Sequence, residues 1–120
     1  MVPDAALDPR VIESLRQLTP PGEPDVLAQI LTVFLEEVPK KIRALQVALD
    51  AGDAAAAARA AHSLKGSSGN VGASALLDIC RRVDERARSG DMAQIAPLLP
   101  SLMSEYHRVE LEVRRLLQTS

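Results

Sequence analysis

The chain has 120 residues, with 14 basic and 16 acidic side chains for a net charge of −2, one Cys, one Tyr, one Phe and no Trp. That length suits one domain, here residues 1–120, and an apolar share of 47% is enough to build a core without staples. No segment is basic enough to follow a nucleic-acid backbone and aromatics to stack bases are nearly absent, no apolar run is long enough to span a bilayer, and a single thiol cannot close an intrachain disulfide.

With so few aromatics the core must be aliphatic, and the abundance of Leu and Ala, both strong helix formers, predicts an all-α protein. The lone Cys80 suits a reducing compartment. Asp4 and Asp8 stand where a signal peptide would be basic and then apolar, so a cytoplasmic chain is expected, and the Met start points to a free-standing one.

In chain order, Asp8-Pro9 reads as a helix cap followed by proline at the first helical position. Val11, Ile12, Leu15 and Leu18 follow at helical spacing, and Thr19-Pro20-Pro21-Gly22 ends this short helix, which spans about 8–18. A second helix is predicted from Pro24, with the stripe Leu27, Leu31, Phe34, Val38, Ile42, Leu45 and Leu49. Pro39 should kink it without changing the phase of the stripe. Gly52-Asp53 marks a stop and a new cap, and the third helix runs from Ala54 to Asn70 before a turn at Val71-Gly72. The fourth carries Leu76, Leu77, Cys80, Val83 and Ala87 and stops at Ser89-Gly90. The last is expected to be capped by Asp91, with Ile95, Leu98, Leu99, Leu102, Tyr106, Val109, Val113 and Leu116 on its inner face, and to break or bend at Pro100. The joints are short, so neighbours should run antiparallel. The prediction is an antiparallel four-helix bundle over about 24–117 with a short N-terminal helix laid across it.

On a wheel of 100° per residue, Ala57, Ala61, Ser68 and Val71 fall within roughly 60° of Leu64, while His62 falls about 160° away. His62 therefore points outward. The positions stacked above and below it are all tiny: Ala55, Ala58, Gly66 and Gly69. Arg59 and Lys65 flank them. An outer helix face normally holds long polar side chains, and each glycine inside a helix costs about 1 kcal/mol relative to Ala. Two glycines beside one histidine are explained by clearance for something large that approaches the imidazole. Lys65 suggests that what arrives is negative. A neutral imidazole is a competent nucleophile, and an ammonium one turn along could stabilise charge on a phosphoryl group.

Other groups read differently. Cys80 lies on the inner stripe of its helix and should be a buried, inert thiol. His107 lies off its stripe with no motif around it. Arg81, Arg82, Arg86 and Arg88 read most simply as solvated helix charges. Two histidines and one cysteine without ligand spacing make no metal site. Gly66, Gly69 and Gly72 are spaced unlike a dinucleotide fingerprint, and no Gly-Lys-Ser/Thr closes a phosphate loop.

The run His62-Ser63-Leu64-Lys65-Gly66-Ser67-Ser68, followed by Asn70-Val71-Gly72-Ala73, resembles the signature of the histidine-containing phosphotransfer (HPt) family. The likeness extends over roughly 24–117, through Asp53, Leu76, Cys80 and Val83-Asp84. It implies a phosphocarrier of a multistep two-component phosphorelay, not an autonomous enzyme. His62 would accept a phosphoryl group on its outer ring nitrogen from a receiver-domain aspartate and pass it to another receiver. Lys65 would neutralise that group, and Gly66 and Gly69 would keep access open. Ala55, Ala58, Arg59 and Ser63 would belong to the docking surface, and Asp84 would orient the imidazole, although many relatives carry the longer Glu or Gln there. The partners implied are receiver domains of response regulators and of a hybrid histidine kinase. The Mg²⁺ would be held by the receiver, with no cofactor or metal on this chain, and a monomer is expected. Two alternatives remain open at this point. One is the phosphoacceptor helix pair of a sensor kinase, which usually has an acidic residue where this chain has Ser63. The other is an interaction module with a vestigial histidine.

Overall fold

A computed structural model describes residues 5–119; Asp4 lies outside them. The elements are α1 (Pro9–Arg16), α2 (Val26–Ala51), α3 (Ala54–Asn70), α4 (Ser74–Arg88), two 3₁₀ turns (Met92–Gln94 and Ala96–Leu98) and α5 (Leu99–Thr119). Helices α2, α3, α4 and α5 close into a ring of neighbours. Joints of only two or three residues link α2 to α3 and α3 to α4, which forces those pairs to run antiparallel.

Local chemistry sets most boundaries. The Asp8 carboxylate accepts from the Arg10 backbone N–H at 2.9 Å, and Asp53 accepts from Ala56 at 3.0 Å, so each satisfies an orphan donor at a helix start. Gly52 ends α2 in the left-handed region, where a side chain would be strained. The start of α2 lies two residues beyond the expected Pro24: Asp25 is the cap, accepting from Ala28 at 3.2 Å, and Thr19 Oγ accepts from Val26 at 2.9 Å. α2 continues through Pro39, and Phe34, Val38 and Ile42 stay buried on both sides of it.

The last segment differs most from expectation. Asp91 makes no side-chain cap bond, and the chain from 92 to 98 forms two 3₁₀ turns. Pro97 lacks the N–H a regular helix would need, so it sits at the start of the second turn. Pro100 does not break α5; it occupies the first turn, where its missing N–H would have no intrahelical partner anyway. Ile95 is nevertheless buried, which keeps this segment on the core.

The core is aliphatic throughout. Leu31, Leu45, Leu64, Leu76, Ile95 and Leu102 are among its largest fully enclosed side chains, and Phe34 stacks on Tyr106 at 6.1 Å between ring centroids. On α2 the inner stripe closes with Ala48, and Leu49 is only half-buried. Leu18, expected on the inner face of α1, is exposed, whereas Leu7 before the helix is buried.

α1 is fixed to the α3–α4 turn. The Asp8 backbone N–H donates to the Gly72 carbonyl at 2.8 Å. Gly72 has φ +73°, and a Cβ there would lie 2.8 Å from Val11 Cβ. This glycine is therefore demanded by the fold. Gly72→Ala should cost about 1–3 kcal/mol through backbone strain and displacement of α1. A denaturant midpoint equal to that of the parent protein would refute this.

Candidate functional site

His62 lies near the middle of α3, a helix walled by α2 on one side and α4 on the other. Five positions of α3 (Ala57, Ala60, Ala61, Leu64 and Ser68) are buried, and they anchor its inner face. The Ser68 hydroxyl donates to the Leu64 carbonyl at 2.8 Å, which satisfies a polar group that would otherwise be orphaned in the core. With the inner face fixed, the imidazole of His62 is exposed on the outer one. Among the described residues nothing hydrogen-bonds to it.

The predicted neighbours do share that face. Ala55, Arg59, Gly66 and Gly69 are exposed, and Ala58 and Ser63 are half-buried. A Cβ added at Gly66 would meet nothing within 4 Å, and at Gly69 only Leu77 Cδ2 at 3.9 Å. Neither glycine has a positive φ. The contrast with Gly72 is instructive. At 66 and 69 neither backbone strain nor packing calls for glycine, yet the helix bears the cost of both.

The two flanks of the face are cationic. Toward α4, Lys65 Nζ lies 2.9 Å from Asp84 Oδ2, and Arg88 Nη2 lies 2.8 Å from the same oxygen. Asp84 is 2% exposed, so its charge is matched by two cations rather than by water. Sequence reasoning assigned Asp84 to the imidazole; in the structure its partners are Lys65 and Arg88. The reason is geometric: a short carboxylate in the α3–α4 seam meets the ammonium that lies down beside it. Arg88, read from sequence as a solvated charge, is one half of this arrangement. Its (i, i+4) spacing from Asp84 was visible in the chain, but the burial of Asp84 was not. Toward α2, Lys41 Nζ donates to Ser67 Oγ at 2.5 Å, a pairing that no sequence pattern indicated. An apolar groove of about 370 Å³ opens beside it, lined in part by Ile30, Val33, Phe34 and Val71.

Cys80 is buried, and desolvation pushes its thiol up to about 11, with a weak Ser68 contact at 3.9 Å pulling the other way. Such a thiol is protonated at neutral pH and out of reach of substrates. His107 is exposed on α5, 3.6 Å from Glu110. Among the described residues no group of three or more His, Cys, Asp or Glu side chains is placed to hold a metal ion, and no helix is long and apolar enough to cross a membrane.

The helical bundle is matched in known proteins. The family model for the Hpt domain matches residues 29–119. The chain belongs to the Hpt family. The histidine-containing phosphotransfer protein B (HptB) of Pseudomonas aeruginosa PAO1 has a similar structure, with a TM-score of 0.90, 32% identity, and coverage of 100% of this chain and 99% of that one. The HPT domain of a sensor hybrid histidine kinase from Shewanella shares the fold, with a TM-score of 0.78 at 20% identity and 97% coverage of each chain. No curated protein matches the chain. As an Hpt domain it is a histidine phosphocarrier of phosphorelay signalling. The bundle and its short N-terminal helix are the architecture expected from the sequence.

Proposed function

We propose that His62 is the residue that carries the phosphoryl group, taking it from a receiver-domain aspartate and passing it to a second receiver. The observation that supports this most is the pair of glycines beside an exposed imidazole, which the fold itself does not need. In the transfer, the lone pair of Nε2 attacks phosphorus while the ring proton sits on Nδ1. The N–P bond forms as the P–O bond to the aspartate breaks, and the carboxylate departs with that electron pair. Gly66 and Gly69 let the receiver bring phosphorus within bonding distance. Lys65 then balances the charge of the phosphoimidazole.

The docking surface on this reading comprises Ala55, Ala58, Arg59 and Ser63, and continues over exposed parts of α2. The partners are receivers of response regulators and of a hybrid histidine kinase, met in the cytoplasm by a monomeric Hpt domain. The receiver supplies Mg²⁺ and the rest of the catalytic groups; this chain supplies the acceptor and no autonomous catalysis.

The test is incubation with a phosphorylated receiver followed by intact-mass measurement. A gain of one phosphoryl group, stable in base, lost in acid and mapped to residue 62, is expected. No transfer from any receiver, or a label mapped elsewhere, would overturn the proposal. Gly66→Gln gives a second check with two opposed signs. Gln is the better helix former, so the bundle should gain about 0.5–1 kcal/mol. Transfer should slow by about tenfold or more, because the longer side chain stands where the receiver must approach. Unchanged transfer kinetics in the stabilised variant would remove the clearance argument.

A further inference from the structure

The seam between α3 and α4 holds one buried carboxylate oxygen between two cations, and the two are not equivalent. The Lys65 side chain is only one-quarter exposed, laid into the seam with its ammonium on Asp84 at 2.9 Å. The Arg88 side chain is mostly exposed and reaches the same Oδ2 from outside at 2.8 Å. The His62 imidazole meanwhile projects to solvent. A phosphoryl group on that ring would be out on the face, and Lys65 must lift from the seam to pair with it.

We propose that Asp84 and Arg88 are positioning residues that set how readily Lys65 is released to the phosphohistidine. Asp84 holds the ammonium back in the unphosphorylated state, and Arg88 keeps Asp84 paired once Lys65 has left. This rests on the assignment of His62 as the phosphorylated residue.

The direction of each effect follows from charge bookkeeping in a buried site. Moving Lys65 away from a carboxylate with no other partner would leave an uncompensated charge in the seam, which is strongly unfavourable. Arg88 prevents that, because its contact with Oδ2 does not depend on Lys65. Removing Arg88 therefore makes Asp84 grip Lys65 harder and disfavours phosphorylation. Neutralising Asp84 frees Lys65 and disfavours nothing, so phosphorylation is favoured. With Asp84 neutral, Arg88 has no carboxylate to satisfy, and its identity should cease to matter. This coupling separates the proposal from the simpler idea that Arg88 itself touches the phosphoryl group.

The experiment measures the equilibrium share of phosphoryl between a phosphorylated receiver domain and the Hpt chain, by intact mass at neutral pH, for five proteins: wild type, Arg88→Gln, Arg88→Lys, Asp84→Asn and the Asp84→Asn/Arg88→Gln double variant. Arg88→Gln should lower the Hpt share by about tenfold, the size of one charge-assisted bond, and Arg88→Lys should restore most of it. Asp84→Asn should raise the share, and the double variant should match Asp84→Asn. The Arg88 guanidinium lies at the surface, so that variant folds even if the Asp84 change weakens the bundle. An equal loss from Arg88→Gln in both backgrounds, or a fall in Asp84→Asn, would overturn the inference while leaving His62 as the acceptor. Absence of label on the wild type would remove both.

Discussion

Replacing His62 with Gln is expected to abolish the acid-labile phosphoryl label completely and to leave the thermal midpoint where it was. Glutamine keeps a polar side chain of similar length but has no nitrogen lone pair free to attack phosphorus, because its amide nitrogen is delocalised into the carbonyl. The imidazole is exposed and forms no hydrogen bond within the described chain. Its loss should therefore change stability by no more than about 0.5 kcal/mol. The checks are intact mass after incubation with a phosphorylated receiver and a thermal scan of the same sample. Residual label of the same acid lability would place the acceptor on another residue, and a large fall in midpoint would mean that the ring packs rather than projects.

Two residues along α3, the opposite result is expected. Leu64 is 1% exposed and belongs to the buried hydrophobic core of the bundle. Leu64→Ala removes three heavy atoms from a close-packed site and leaves a cavity that the surrounding helices fill only in part. The cost should be about 2–5 kcal/mol, a large share of the 5–15 kcal/mol typical of such domains. The midpoint should fall by about 10 °C or more. Below that temperature the folded fraction still presents His62 outward, so label should still appear. Differential scanning calorimetry with transfer assays at low temperature reads both. A variant that stays as stable as the parent would show that Leu64 does not fill the core as described. Together the two substitutions separate the chemistry of α3 from its packing, face by face.

Much of this was legible in the chain because helices write their burial in periods of three and four. The steps Leu27, Leu31, Phe34, Val38, Ile42 and Leu45 marked the inner face of α2, and all are buried. The caps at Asp8 and Asp53 were legible too, since a carboxylate before a helical run has an N–H to accept from. The 92–98 segment was not. Its apolar spacing reads as one helix, and only the combined constraint of Pro97 and Pro100 moves the start of α5 to Leu99. Leu7 was missed because it precedes the periodic run and is buried by what it touches.

The sequence by itself determined that the chain is helical, that its core is aliphatic, and that one histidine stands on a face stripped of bulk. The first two follow from composition and the third from spacing along α3, and none of them requires knowing which helices meet. Only the tertiary structure decided that Gly72 is held in place by Val11 while Gly66 and Gly69 open onto free space, and that Asp84 is shared by Lys65 and Arg88. Apart from the Asp84–Arg88 pair, which lies within α4, those facts depend on how separate parts of the chain are placed against one another. The energy of a buried carboxylate is set by which cations lie within about 3 Å of it, a distance that chain spacing does not encode.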